Sequence, residues 1–244
     1  MTARSDGRAV DELRPVRLLP NFTDNPLASV LSEIGRTRVL CTVCEEASVP
    51  RWMKGSGRGW VTAEYSMLPG ATDRRTDREA ARGRQSGRTQ EIQRLIGRSL
   101  RGVMDLSALG ERTLWIDCDV LQADGGTRCA SVTGSYVAVA IAVRRLLRRE
   151  AISRSPLRDS VAAVSTGVID GSVLLDLAYD EDSRAEVDMN VVATGAGRFV
   201  EVQGTGEGVT FSDQELVSLT SVALGGIAAL TDLQRSAIEA GEPA

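Results

Sequence analysis

The sequence predicts an α+β fold of two similar halves, in each of which a mixed sheet packs against helices. The chain has 244 residues, 42% of them hydrophobic, which is enough to bury the core of one large domain or of two fused halves. Segments with strand composition come before segments with helical spacing, once on each side of the proline-containing connection Arg154–Asp159. We therefore predict an N-terminal half, residues 1–153, and a C-terminal half, residues 154–244.

The strands of the first half are predicted from composition and alternation. Val39–Val43 and Leu114–Leu121 have strand composition. The second has one apolar and one acidic face, with Ile116, Cys118 and Val120 opposite Asp117 and Asp119. A sheet with one covered face is expected.

Two helices are predicted in the first half. Thr89 is expected to cap a helix whose apolar positions from Ile92 to Val103 follow helical spacing. Arg94, Arg98 and Arg101 form a separate, solvated stripe on it. The small, apolar stretch Ser131–Arg149 ends in arginines that suit a helix C-terminus, so we expect a buried helix there.

The second half repeats this order. Its predicted strands are Val161–Ile169, Val173–Tyr179, Val187–Ala193 and Phe199–Gln203. Asp170–Gly171 is a hairpin signal between the first two. Ser212 with Glu215 forms a capping box that opens a final helix.

The composition excludes several chemistries. The chain contains no histidine, which rules out histidine-based nucleophilic systems and metal sites that need imidazole. A net charge of -4 argues against coating nucleic acid through bulk charge, although a local basic patch can still bind phosphates. The polar start Met1–Asp11 and the lack of an apolar run judged long enough to cross a bilayer lead us to expect a cytoplasmic protein with no membrane partner.

The four cysteines include a Cys41-x-x-Cys44 pair that invites a zinc or redox interpretation. On a strand, residues an odd number apart point to opposite faces, so these two thiols should diverge. Reduced core cysteines are favoured.

The loop Gln122–Arg128 lies between a predicted strand and a predicted helix. Glycines let backbone amides approach an oxyanion, the helix N-terminus adds the positive end of its dipole, and Thr127 and Arg128 can donate further hydrogen bonds. A tight turn that simply needs glycine explains the pattern equally well.

A basic island lies within this acidic chain. Its members are Arg74, Arg75, Arg78, Arg82, Arg84, Arg88, Arg94, Arg98 and Arg101. Arginine matches phosphate oxygens, so the island indicates a polyanion partner. A solvated helix face accounts for the last three, and phosphate contact is favoured for Arg75, Arg78 and Arg88.

Carboxylates are concentrated in Tyr179–Asn190, between two predicted strands. Either a solvated acidic turn or a metal site results. A pair of aspartates at adjoining strand ends suits magnesium, which prefers oxygen ligands and keeps several waters.

Long runs of the sequence resemble the ribonuclease PH family, bacterial phosphorolytic exoribonucleases that mature transfer RNA. The matching runs are Gly7–Arg8, Leu13–Val16, Val39–Thr42, Gly59–Tyr65, Gly87–Arg98, Ile116–Arg128, Glu181–Ser183, Asp188–Val192 and Glu201–Thr205. They extend over nearly the whole chain. The resemblance implies the ribonuclease PH / ribosomal protein S5 domain 2-like fold and a homohexameric ring, a trimer of dimers.

The resemblance also implies an activity and its residues. The expected enzyme trims the 3′ end of tRNA precursors with inorganic phosphate and magnesium, releases nucleoside diphosphates, and is reversible as a nucleotidyltransferase. Arg88, Gly126, Thr127 and Arg128 fall on the family's phosphate-binding positions. Asp182 and Asp188 fall on its catalytic carboxylates and are the expected metal ligands. Arg75 and Arg78 fall on arginines associated with RNA binding.

The chain departs from the family at three positions. Gly70 stands where some members have arginine, Asp73 where histidine is usual, and Cys129 where threonine is usual. A carboxylate at Asp73 repels the RNA backbone, and the lost cation removes a counterion-release contact, so weaker RNA binding is expected.

Two other functions remain open. A hydrolytic nuclease would use the same acidic pair with water in place of phosphate. An inactive RNA-binding ring subunit would bind RNA without turnover. Because phosphate already carries its nucleophilic charge, the missing histidine base fits phosphorolysis.

Overall fold

The structure, a computed structural model, describes residues 4–241; of the polar start Met1–Asp11, the first three residues lie outside it. Nine strands and five helices are found in this range. The strands are β1 Val16–Pro20, β2 Ala28–Ile34, β3 Thr37–Glu46, β4 Trp60–Met67, β5 Thr113–Gln122, β6 Val161–Ile169, β7 Ser172–Leu175, β8 Val187–Thr194 and β9 Phe199–Gly206. The helices are α1 Gly87–Gly102, α2 Leu106–Leu109, α3 Thr127–Arg148, α4 Tyr179–Asp182 and α5 Asp213–Ala240.

The strands form two sheets. The first has the order β1-β2-β3-β5-β4 and is mixed, because β4 runs parallel to β5 while the other pairs are antiparallel. The second has the order β7-β6-β8-β9 and is antiparallel throughout. The α+β fold predicted from the sequence is confirmed, although only the first sheet is mixed.

Helix α3 lies between the two sheets. Gly134 lets it approach the first sheet closely, since a Cβ there would be 2.6 Å from Ser32 Cβ and 2.9 Å from Cys41 Sγ. All nine residues of β6 are buried, because α3 packs on one face and α5 on the other. The two halves thus share a core, and the division at 153/154 stays a prediction.

Several predicted boundaries are corrected. Ser86, not Thr89, caps α1: its hydroxyl accepts the Thr89 amide hydrogen, which places Thr89 inside the first turn. Helix α3 begins at Thr127, four residues before the predicted start, because the glycine loop directly precedes it. Strand β7 ends at Leu175 rather than Tyr179, since Asp176 takes a left-handed backbone with φ 52°.

The cysteine prediction holds in part. Cys41, Cys118 and Cys129 are buried and unbridged. Cys44 is exposed on the opposite face of β3 from Cys41, so the two thiols diverge as predicted, but Cys44 does not belong to the core.

The expectation that no apolar segment could span a bilayer is wrong by length and composition. Helices α3 and α5 are both long and apolar enough. The apolar 18-residue stretch of α3 is 83% buried, as in the core helix of a soluble protein, whereas the corresponding stretch of α5 is only 28% buried. One or two such helices are weak evidence for a membrane.

Candidate active site

The glycine-containing loop Gln122–Arg128 runs into the N-terminus of α3. Gly125 and Gly126 both have left-handed backbones, with φ 76° and 65°. Gly125 also packs so closely that a Cβ would lie 2.6 Å from the Leu177 carbonyl oxygen. The tight-turn interpretation is confirmed, because glycine is required sterically at both positions. The turn leads into the N-terminus of the 22-residue helix α3, where unpaired amides favour anions, and the anion-site interpretation stays a prediction.

Thr127, the first residue of α3, is buried against the first sheet. Its hydroxyl oxygen accepts a 2.9 Å hydrogen bond from the Tyr65 hydroxyl. Because that bond uses a lone pair of Thr127 Oγ1, the hydroxyl hydrogen of Thr127 stays available to an anion.

Two arginines approach the same point from different elements. The Arg128 side chain is held by Gln203, with Nη1 2.5 Å from Oε1, and reaches Glu91 at 3.3 Å. Arg88 is the second residue of α1, and among residues 4–241 no hydrogen bond or ion pair occupies its guanidinium. The positive charges of Arg88 and Arg128 both act to lower the pKa values of Asp182 and Asp188, so the two guanidinium groups lie within electrostatic range of these carboxylates.

The carboxylates come from α4 and β8. Asp182 ends the one-turn helix α4, and Asp188 is the second residue of β8. Burial raises the pKa of Asp182 above its ordinary value. Burial and, next, repulsion from Asp182 raise the pKa of Asp188 to about 6. Five predicted site residues thus converge: Arg88, Thr127, Arg128, Asp182 and Asp188.

The pair fits a divalent cation. Asp188 Oδ1 is buried and has no hydrogen-bond partner. Such an orphaned oxygen beside a second carboxylate is the environment that a hard cation relieves. Within the described part of the chain no three acidic or thiol groups form a larger metal cluster. A cation here would have two protein carboxylates and would complete its shell with water or substrate oxygens, which suits magnesium.

Arg75 and Arg78 lie elsewhere. Arg75 is exposed and pairs with Asp77 at 3.0 Å. Arg78 lines a cavity of about 600 Å³ over the outer face of the first sheet, where it faces Asp119. Neither contacts the carboxylate pair, and their role in RNA binding stays a prediction.

Sequence reasoning gave no role to three residues that shape the site. Arg14 is buried and faces Asp182, Tyr65 orients Thr127, and Gln203 holds Arg128. All three lie inside the matching runs, but nothing in their spacing indicates that they meet.

Cys129, one of the departures from the family, borders the site. It is buried, its thiol donates to Asn190 Oδ1 at 3.4 Å, and burial raises its pKa to about 12. The thiol therefore stays protonated and adds no charge.

The chain matches the models of two domains of one family. Residues 12–144 match domain 1, and residues 159–226 match domain 2, of the 3′ exoribonuclease family. Among curated proteins, it is 59% identical over 244 residues to Ribonuclease PH of Mycobacterium sp. (strain KMS) and to that of Mycolicibacterium smegmatis. Each alignment covers 100% of this chain and 94% of the relative.

Solved structures agree on the fold. Rice Rrp46 superposes with a TM-score of 0.78 at 19% identity, covering 97% of this chain and 100% of that one. A chain of the Archaeoglobus fulgidus exosome with RNA bound to the active site has a TM-score of 0.78 at 22% identity, covering 94% and 91%. At these identities the likeness shows the fold alone.

Proposed function

The chain belongs to the ribonuclease PH family and is a phosphorolytic 3′ exoribonuclease; we propose that it trims tRNA precursors at the site formed by Arg88, Thr127, Arg128, Asp182 and Asp188. The single observation that carries this assignment of the site is the convergence of two arginines and a helix N-terminus on a half-buried carboxylate pair. Such a site is built to bring two anions together.

The phosphate is held by Arg88, Arg128, the Thr127 hydroxyl and the first amides of α3. Arg128 is already oriented by Gln203 and Thr127 by Tyr65, so little side-chain freedom is lost on binding. Arg88 has no competing partner among the described residues. It is therefore free to close on the anion.

The chemistry is a displacement at the terminal phosphodiester. An oxygen of hydrogen phosphate attacks the phosphorus, and the bond to the 3′ oxygen of the preceding nucleotide breaks. The proton of the attacking phosphate ends on that 3′ oxygen, and the products are a nucleoside diphosphate and an RNA shortened by one residue. The arginines lower the repulsion between the two anions and align them, so no histidine base is needed.

We assign Asp182 and Asp188 as the ligands of a magnesium ion. When bound, the ion would supply positive charge to the oxygens of the reacting phosphates. The orphaned Asp188 oxygen and the raised pKa values of both carboxylates support this assignment.

We further propose that the protein works as a homohexameric ring in the cytoplasm. The solvent-facing apolar side chains of α5, among them Val217 at 67% exposure, suit a covered surface in an assembly. Unbridged thiols, with Cys41 and Cys118 Sγ atoms 4.0 Å apart, suit a reducing compartment.

The test is an assay of a tRNA precursor with and without phosphate and magnesium, in which the mononucleotide products are identified. Nucleoside diphosphates that form only with phosphate are expected. Monophosphates formed without phosphate would show hydrolysis, and RNA binding without any product would show an inactive subunit. Either outcome would refute the proposal.

A further inference from the structure

The N-terminal residues 4–14, here called the arginine arm, bind the segment that carries Asp182. Arg4 forms a two-pronged contact with Glu181, with Nε 2.8 Å from Oε1 and Nη2 2.7 Å from Oε2. The same guanidinium donates to the carbonyl oxygens of Leu175, at 2.8 Å, and Asp176, at 3.1 Å. Arg8 adds bonds to the Asp176 carbonyl and to Glu181.

The contact is buried and falls one residue before the catalytic carboxylate. The side chains of Arg4 and Glu181 are 1% and 4% exposed. Glu181 also accepts the Ala178 amide hydrogen at 3.0 Å, which closes the start of α4. A helix of only four residues has little stability of its own. The direction of α4, and with it of Asp182, therefore depends on the arm.

The other end of the arm reaches the loop Gln122–Arg128, here called the phosphate loop. Arg14 binds both carboxylate oxygens of Asp176, at 2.7 and 3.0 Å, and donates to the Asp124 carbonyl oxygen at 2.5 Å. Asp124 directly precedes the two glycines of the loop. One short segment thus connects the loop that holds the phosphate to the turn that holds Asp182.

We propose that the arginine arm sets the position of Asp182 relative to the phosphate loop, with Arg4 as a positioning residue for the phosphorolytic reaction. This inference rests on the proposed function of the site. Loss of Arg4 should therefore affect the Asp182 carboxylate and its metal but not the binding of phosphate. The residues that hold the phosphate, Arg88, Thr127 and Arg128, do not contact Arg4.

The experiment compares the full-length wild type with Arg4→Gln, Arg4→Lys and Arg4→Gln/Glu181→Gln. The double variant leaves no unpaired buried charge, which protects its folding. Arg235→Gln is the control, because Arg235 belongs to an exposed pair with Asp232 on α5. Turnover, half-saturation by phosphate, Mn²⁺ affinity by calorimetry and the unfolding midpoint are measured for each.

Arg4→Gln and the double variant should lose about 100-fold in kcat, the cost of a misplacement of about 1 Å. Their Mn²⁺ affinity should fall about 10- to 100-fold, as when a residue supporting a metal ligand is removed. Half-saturation by phosphate should stay within about twofold of wild type, because phosphate binding is untouched. Arg4→Lys keeps the positive charge but not the two-pronged guanidinium, so its kcat and Mn²⁺ affinity should fall between those of wild type and Arg4→Gln. Arg235→Gln should match wild type.

Wild-type kcat and Mn²⁺ affinity in the folded double variant would overturn the inference. So would a change confined to phosphate half-saturation, or unfolding of the double variant, which would give the arm a purely structural role. If the wild type itself shows no phosphate-dependent turnover, the proposed function fails instead, and the Mn²⁺ comparison still decides whether the arm positions Asp182.

Discussion

The Tyr65 hydroxyl donates a 2.9 Å hydrogen bond to the Thr127 hydroxyl, which joins a strand of the first sheet to the first residue of α3. Tyr65 is 3% exposed and burial raises its pKa, so it stays protonated as a donor. The bond fixes where the remaining hydrogen of Thr127 points. We infer that Tyr65 holds the Thr127 hydroxyl in a fixed orientation within the phosphate site.

Tyr65→Phe should therefore weaken phosphate binding without removing the site. One hydrogen bond contributes about 1 kcal/mol, so half-saturation by phosphate should rise about fivefold, with a smaller change in kcat. Tyr136→Phe is the control, because Tyr136 lies on α3, the helix that Thr127 begins, but outside the site. Equal phosphate half-saturation in Tyr65→Phe and wild type would show that Thr127 is not oriented by this bond.

Arg88→Ala should weaken phosphate binding more than Tyr65→Phe does. Charge-assisted hydrogen bonds contribute about 1.5–3 kcal/mol, so phosphate half-saturation should rise about 10- to 100-fold. Arg84→Ala, in the same exposed basic segment, is the control. An unchanged phosphate requirement in Arg88→Ala would remove Arg88 from the phosphate site.

Gly125→Ala tests the contact between the phosphate loop and residues 177–179. A left-handed backbone costs a non-glycine residue about 1–2 kcal/mol, and the added Cβ would also meet the Leu177 carbonyl oxygen at 2.6 Å. Gly55 has φ 79° and open space around its Cβ position, so Gly55→Ala isolates the backbone cost. The unfolding midpoint should fall further in Gly125→Ala, with phosphate affinity lost only there. Equal midpoints would mean that the loop is not tightly packed.

Asp188→Asn should stabilise the metal-free protein while abolishing turnover. The pKa of Asp188 rises from 3.8 to about 6 in the folded chain. Between these values the folded chain holds more protons than the unfolded chain, so stability falls as pH rises through this window and stays lower above it. The variant lacks this penalty, so in EDTA it should be the more stable protein above pH about 6, and the difference should vanish below pH about 4.

Denaturant unfolding at several pH values measures this difference, with Asp180→Asn as an exposed control on α4, the helix that carries Asp182. Magnesium should stabilise the wild type and not the Asn variant, because a ligand stabilises only the state that binds it. A wild type that is more stable than Asp188→Asn at neutral pH without metal would contradict the raised pKa of Asp188, which burial and, next, repulsion from Asp182 produce.

Local patterns predicted most elements but not how they meet. The Asp170–Gly171 hairpin and the Ser212–Glu215 capping box are confirmed, because both depend on residues a few positions apart. Arg14 and Asp176 are separated by 162 residues, so no spacing rule relates them. Asp176 also ends β7 through its left-handed backbone, a conformation that the apolar run before it does not indicate. The basic island by itself favours phosphate contact for Arg88. The roles of Thr127, Arg128, Asp182 and Asp188 rest on the resemblance, since a glycine loop can be a simple turn and an acidic turn can be merely solvated.

Gly70→Arg should strengthen RNA binding, because Gly70 stands where some relatives carry an arginine. Gly70 is exposed, its φ lies outside the left-handed range, and no atom lies within 4 Å of an added Cβ, so the substitution costs little in the fold. One new phosphate contact on single-stranded RNA should steepen the plot of log affinity against log salt by about 0.7. Asp73→Asn, which removes the nearby carboxylate, should tighten binding in the same direction through reduced repulsion.

Binding of a tRNA precursor at several salt concentrations measures both variants, and Ala196→Arg, at an exposed residue of the turn between β8 and β9, is the control. Half-saturation by phosphate should not change, since residues 70 and 73 contact neither the phosphate loop nor the carboxylate pair. If Gly70→Arg leaves the salt dependence unaltered, or steepens it no more than Ala196→Arg does, the basic segment does not follow the RNA backbone. The role given to Arg75 and Arg78 would fall with it, because those two arginines lie on the same exposed stretch.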